Sequence, residues 1–155
     1  MNDADQYLTF ILAGEEYGVD ILRVQEIKGW DSVTTIPNTP DHIKGVINIR
    51  GTIVPIVDLR MRFNMESVEY SVTTVVIVLK VNSDNGERTM GIVVDAVSDV
   101  YNISQEEMKS PPDFGDIDTK FLNGLATVNE NMVIILDIDK LLTSALVDEL
   151  NKVAS

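Results

Sequence analysis

The sequence predicts an all-β protein built from two similar units in tandem and closed by a C-terminal helix. Three observations carry this. The apolar runs are short, rich in valine and isoleucine, and bounded by Gly, Asn, Asp or Pro, as strands are. Successive runs flank tight-turn residues, as hairpins do. One hairpin-like segment also recurs later in the chain.

Taken in order, residues 7–12 end at Ala13-Gly14-Glu15, and residues 16–20 return from that turn. Residues 45–49 and 53–57 flank Arg50-Gly51-Thr52. Residues 74–81 and 89–94 flank Ser83-Asp84-Asn85-Gly86, where Asn-Gly is a strong hairpin signal. Residues 126–128 and 132–138 flank Asn129-Glu130-Asn131. Pro55 lacks a backbone N–H, so its strand is expected at an edge or with a bulge. Helix is scarce: one turn at 41–43, another at 59–64, and a longer stretch over 140–153 that Asp139 would cap. Leu141, Leu142, Ala145, Leu146 and Leu150 form its apolar stripe. Ser110-Pro111-Pro112 reads as a surface loop.

The internal repeat is the most informative feature. Residues 45–59, GVINIRGTIVPIVDL, align without gaps on residues 124–138, GLATVNENMVIILDI, at a constant offset of 79 positions. A second echo, at an offset of 73, sets Gly18, Val24, Glu26 and Ile27 against Gly91, Val97, Asp99 and Val100. A single domain over 1–155 follows, made of two intertwined units of about five strands each, roughly 16–70 and 74–140, with the N-terminal strand and the C-terminal helix packing on them. A unit of about 75 residues has a marginal core alone, so the two should pack on each other. Closed barrels would also remove the exposed edges that so many short strands create.

Composition narrows the function. A formal net charge of −13 opposes binding to a phosphate backbone, so nucleic acid is an unlikely partner. No cysteine is present, which removes thiolate nucleophiles, disulfides and sulfur zinc sites together. No apolar run approaches the roughly 20 residues of a membrane helix, and no secretory signal is visible, so a cytoplasmic protein without membrane insertion is expected. Residues 1–80 carry seven Lys/Arg against eleven Asp/Glu, and residues 81–155 five against fourteen. Within the first part, Lys44, Arg50, Arg60 and Arg62 make a basic island that suits either an acidic partner or a solvated face.

Catalytic readings fail one by one. His42 is the sole histidine, so a Ser–His–Asp triad would rest wholly on a residue that suits a surface turn. Asp113-Phe114-Gly115 imitates a kinase magnesium motif but lacks the glycine-rich loop and catalytic loop. Asp113, Asp116 and Asp118 lack the central glycine and terminal glutamate of a calcium loop. Glu15/Glu16 and Glu106/Glu107 lie in expected turns, where paired charges are normally solvated, and nothing marks them as an acid–base pair. A carboxylate-dependent enzyme is the remaining alternative of a different class. No metal and no cofactor are expected.

Three stretches then carry a family resemblance. They are EYGVDILRVQEI at 16–27, Ile36-Pro37 with IKGVINIRGTIVPIVDLR at 43–60, and GIVVDAVSDV at 91–100. Together, over about 6–142, they resemble the CheW family of chemotaxis coupling proteins. Only the 82–88 turn looks longer than the family pattern. The resemblance implies two tandem five-stranded SH3-like β-barrels with a C-terminal helix. It also implies a non-enzymatic adaptor that binds the cytoplasmic tip of methyl-accepting chemoreceptors and the regulatory domain of the histidine kinase CheA, at membrane-associated arrays. CheV and the CheA regulatory domain share the fold and remain alternatives. Matched residue by residue, the receptor-binding positions are Val24, Glu26, Arg50, Val75, Val76 and Val100. The kinase-binding positions are Ile36, Ile43 and Gly45, although Gly45 also suits a turn that needs positive φ. Glu26 and Arg50 are expected within ion-pair reach at one end of the first barrel.

Overall fold

Runs whose side chains point alternately to two sides need a partner on each buried side, and this chain supplies both by pairing its strands into two five-stranded sheets. The structure, a computed structural model, describes residues 4–30, 33–35, 37, 43–63, 65, 69–83, 86–110 and 121–142. The elements are β1 (Ala4–Leu12), β2 (Glu15–Asp20), a 3-10 turn (Ile21–Arg23), β3 (Val24–Gly29), β4 (Ile43–Ile49), β5 (Thr52–Asp58), α1 (Leu59–Arg62), β6 (Val75–Ser83), β7 (Gly86–Val94), β8 (Ala96–Ser104), β9 (Leu122–Val128) and β10 (Asn131–Leu136). The His42, Ile36 and Asp113-Phe114-Gly115 readings, and the Asp116 and Asp118 carboxylates, lie outside the described residues.

The sheet orders are β3-β6-β7-β5-β4 and β8-β1-β2-β10-β9. They match position for position. In each, the second strand of one hairpin (β6–β7 or β1–β2) pairs in parallel with the second strand of the repeat hairpin (β5 or β10), and all other neighbours are antiparallel. The two repeat hairpins, β4–β5 and β9–β10, therefore take equivalent places in two separate sheets. Even their bulges coincide: the register slips between Ile43 and Gly45 against β5, and between Leu122 and Gly124 against β10. The turn residues Arg50 and Asn129 share a left-handed φ, +52° and +51°.

The strands divide the chain differently from the expected limits of 16–70 and 74–140. One unit is contiguous, running from β3 to β7, whereas the other joins β1 and β2 to β8, β9 and β10. The repeat shows which segments are equivalent, but not which ones pair. Pro55 is corrected too. β5 is an interior strand, and the bulge lies in β4 across from it. Proline is tolerated because Val46, opposite it, gives its own N–H and C=O to Thr34, and the parallel ladder to β7 starts only at Ile56. The chain is helical over 138–142, with Leu141 and Leu142 fully buried, and the rest of the expected helix lies outside the described residues. Its cap is Asp137, whose carboxylate accepts from the Lys140 N–H at 3.2 Å, and not Asp139.

Among the described residues, buried side chains form three apolar clusters. One is interior to the first unit, around Ile47, Val54, Ile56, Val76 and Val78. Its counterpart in the second holds Tyr7, Ile103, Ala126, Val133 and Ile135. The largest lies between the units, where Leu8, Phe10, Leu12, Tyr17 and Val19 meet Ile77, Leu79, Met90, Ile92 and Val94. Strand periodicity explains the sorting: along β6, Val76 and Val78 enter one cluster while Ile77 and Leu79 enter the other.

Where the parallel strands meet, both units need a glycine. A Cβ on Gly91 would stand 2.6 Å from Ile56 Cδ1, and one on Gly18 would stand 2.9 Å from Ile135 Cδ1. Gly91→Ala should therefore destabilise the protein by about 1–3 kcal/mol through overpacking. Trimming the obstructing methyl with Ile56→Val should recover part of that loss. Urea unfolding of the two single variants and the double variant checks it, and strictly additive losses would refute the clash.

Candidate functional site

The edge strands β3 and β8 are equivalent in the two units, and each flanks the shared core. Along β3 exposure alternates, with Val24, Glu26 and Lys28 half-buried and Gln25, Ile27 and Gly29 exposed. Val24, Val75 and Val97 pack partly buried against the shared core. Ile27 and Val100, aligned by the offset of 73, are 45% and 43% exposed. The result is a seam with an apolar floor and an exposed aliphatic side chain on each rim.

Local hydrogen bonds fix both rims. The Asp20 carboxylate accepts from the Leu22 N–H at 2.9 Å, which sets the 3-10 turn that leads into β3. On the other side the register of β1 with β8 slips between Leu8 and Phe10. Thr9, fully buried there, donates its hydroxyl to the Asp99 carbonyl and accepts from the Asp99 N–H, both at 3.1 Å. This satisfies the bulge and sets the turn of β8 just before Val100.

Glu26 supplies the charge. Its Oε1 accepts from Arg50 Nη2 at 3.1 Å, and its Oε2 lies 3.7 Å from Lys28 Nζ. The ion pair expected from the sequence is present. It also has a structural role that the sequence did not suggest. β3 and β4 are opposite edges of their sheet, and Arg50 stands in the turn after β4, so the pair spans the gap and helps to close the barrel. The Arg50 side chain is 85% exposed against 22% for Glu26. Such a pair contributes only about 0–1 kcal/mol. Glu26 Oε2 is buried without a hydrogen bond, with Lys28 Nζ 3.7 Å away.

The remaining positions sort clearly. Val75 borders the shared core, whereas Val76 is wholly buried inside the first unit and offers no surface for contact. β6 is an interior strand with both faces covered, which a match on sequence alone could not reveal. Ile43 opens β4 opposite Val57. Gly45 is buried with φ +152°, and a Cβ there would stand 2.2 Å from the Thr34 carbonyl oxygen. Ile27 is the position that sequence reasoning missed, although the echo had already aligned it with Val100. Among the described residues no group of three or more His, Cys, Asp or Glu is placed to hold a metal ion. No helix among them is long and apolar enough to cross a membrane.

A family model described as a CheW-like domain matches residues 6–146. The chain belongs to the CheW family. It is 52% identical to the chemotaxis protein CheW of Klebsiella aerogenes over 95% of this chain and 89% of that protein. It is 34% identical to the CheW of Rhizobium meliloti, with 92% and 90% covered. Among solved structures, the scaffolding protein TtCheW of Thermoanaerobacter tengcongensis superposes with a TM-score of 0.79 at 36% identity, covering 89% of this chain and 92% of that one. The two five-stranded sheets are thus the two SH3-like barrels of a CheW-type scaffold.

The exposure of Val100 separates surface from core. Val100→Asp should stay folded, with a circular dichroism spectrum like that of the parent and a stability change within about 0.5 kcal/mol. By contrast, Val76→Asp should unfold the protein, because it buries an unpaired carboxylate. Similar melting curves for the two variants would overturn the assignment.

Proposed function

We propose that the chain is a non-catalytic chemotaxis adaptor that couples chemoreceptor signalling tips to the histidine kinase CheA at the cytoplasmic face of the membrane. Membership of a scaffold family supports the adaptor role. The observation that carries the receptor half is the seam: two equivalent exposed aliphatic residues, Ile27 and Val100, stand over an apolar floor beside an exchangeable ion pair. A helical partner with an apolar stripe and a few polar residues suits that surface. Val24, Glu26, Arg50, Val75 and Val100 form the proposed receptor face. For the kinase face, Ile36 and Ile43 are proposed as contacts, with Gly45 acting through the shape it gives the start of β4.

Because Arg50 is exposed and weakly held, losing the pair should harm binding more than folding. Co-sedimentation of the purified protein with a receptor cytoplasmic fragment, with and without CheA, tests the proposal. The parent should join both partners and change the phosphorylation rate of CheA while turning over nothing itself. Val100→Asp should lose at least about tenfold in receptor affinity, roughly 1.4 kcal/mol, and keep CheA binding. Glu26→Ala and Arg50→Ala, alone and combined, should show non-additive losses in receptor affinity. A parent that binds neither partner, or a Val100→Asp variant that binds receptor normally, sinks the reading.

A further inference from the structure

The chain crosses between the units twice, and both crossings carry a fork of one arginine and one aspartate. At the first, Arg23 ends the 3-10 turn between β2 and β3, and its Nη1 and Nη2 donate to the two carboxylate oxygens of Asp139, both at 2.9 Å. At the second, Asp95 lies between β7 and β8, and its carboxylate accepts from Arg60 Nε at 3.0 Å and Nη2 at 2.6 Å. Both pairs are part-buried. Asp139 follows β10 and Arg60 follows β5, so the offset of 79 makes them equivalent positions. The polarity is reversed, with arginine on the helix and aspartate on the crossover in one copy and the opposite in the other. The crossover residues stand one position apart, because the offset of 73 sets Arg23 against Ala96 and Leu22 against Asp95.

The equivalence extends to the backbone that each fork grips. Thr9 and Val78 face the equivalent glycines Gly18 and Gly91, which fixes an offset of 69 between β1 and β6. Ala13 therefore corresponds to Asn82, and Ile11 to Lys80. The Ala13 N–H donates to Asp95 at 3.0 Å, and the Asn82 N–H donates to Asp139 at 2.8 Å. The Ile11 carbonyl accepts from the Asp95 N–H at 3.1 Å, and the Lys80 carbonyl accepts from Arg23 Nη1 at 3.2 Å. Each clamp thus ties the helix that follows one unit's parallel strand to the hairpin, β1–β2 or β6–β7, of the other unit. Bidentate arginine–carboxylate geometry gives the link direction as well as strength. Arg60 also holds the Asp95 carboxyl below the usual carboxylate range, chiefly by hydrogen bonding.

We propose that the Arg23–Asp139 and Arg60–Asp95 forks are polarity-swapped copies of one clamp, and that together they fix the angle between the two β units. Val24 follows Arg23 directly and Ala96 follows Asp95, so each clamp anchors the first residue of an edge strand that lines the seam. The four residues are positioning residues. Their effect on docking rests on the seam being the docking site, but their effect on geometry does not.

Spin labels at Thr52→Cys in one unit and Thr127→Cys in the other report that geometry without background, because the chain has no native cysteine. The parent should give a narrow distance distribution. Arg23→Ala should widen it at least about twofold while amide hydrogen exchange within each sheet stays protected. The exchange of partners, Arg23→Asp with Asp139→Arg, should restore the parent width, because the other crossing already accommodates that polarity. Arg23→Gln, which keeps a donor for the Lys80 carbonyl, serves if Arg23→Ala does not fold. An unchanged width with only a lower melting temperature overturns the proposal, as does an exchanged pair no narrower than Arg23→Asp alone. Receptor co-sedimentation of the same variants separates the two claims: widening without loss of receptor leaves the clamps in place and refutes the seam as the docking site.

Discussion

The apolar layer between the hairpins β1–β2 and β6–β7 is the constraint on which the rest of the structure depends. Each unit has its own cluster, but a unit of this size has little interior. Phe10, Leu12, Ile77, Leu79 and Ile92, all completely buried, lie in the shared layer. Burying such side chains contributes about 1.5–3 kcal/mol each relative to exposure. The two hairpins therefore carry apolar residues on both faces, one for the unit and one for its neighbour. Where each hairpin pairs in parallel with β5 or β10, the side chains of Ile56 and Ile135 leave no space for a Cβ, and Gly91 and Gly18 stand there.

With the hairpins committed to the interior, the edges are what each sheet leaves uncovered. β3 and β8 border the shared layer, and β4 and β9 lie at the far side of each sheet. Four of the six exposed large apolar side chains among the described residues follow the same pseudo-symmetry, Leu22 and Val72 being the exceptions. Ile27 corresponds to Val100, and Ile53, 59% exposed, corresponds to Met132, 52% exposed. Such pairing is what a duplicated unit leaves when equivalent edges stay uncovered. The ion pair does not repeat: Asp99 matches the acid of Glu26, but uncharged Asn129 takes the place of Arg50. The two halves share a shape and differ in chemistry.

Rigidity and exchangeability are also divided. The part-buried forks at the crossings join units that have to keep a fixed relation. The Glu26–Arg50 pair, with its arginine almost fully in water, is held weakly and can be given up. A scaffold transmits a partner's state only through contacts, so a stiff frame with a few replaceable surface bonds is an economical arrangement for that task.

The sequence by itself determined the fold class, the duplication, the absence of cysteine chemistry, the family, and the Glu26–Arg50 pair. Fold class and duplication are legible because their signals are local or periodic: turn residues mark hairpins, alternation marks strands, and constant offsets mark equivalent positions. The family and the Glu26–Arg50 pair were read from the motifs. Tertiary structure alone decided which strands pair. β6 and β7 joined the first unit and β2 the second, because pairing across long separations depends on which apolar faces can be buried together. It also decided that Val76 is interior, since valine alternation looks the same on a strand with one covered face or two. The helix cap moved from Asp139 to Asp137 for a similar reason. Either aspartate satisfies the local rule, but only the folded chain brings Arg23 and the Asn82 N–H to Asp139 and leaves Asp137 to the Lys140 N–H.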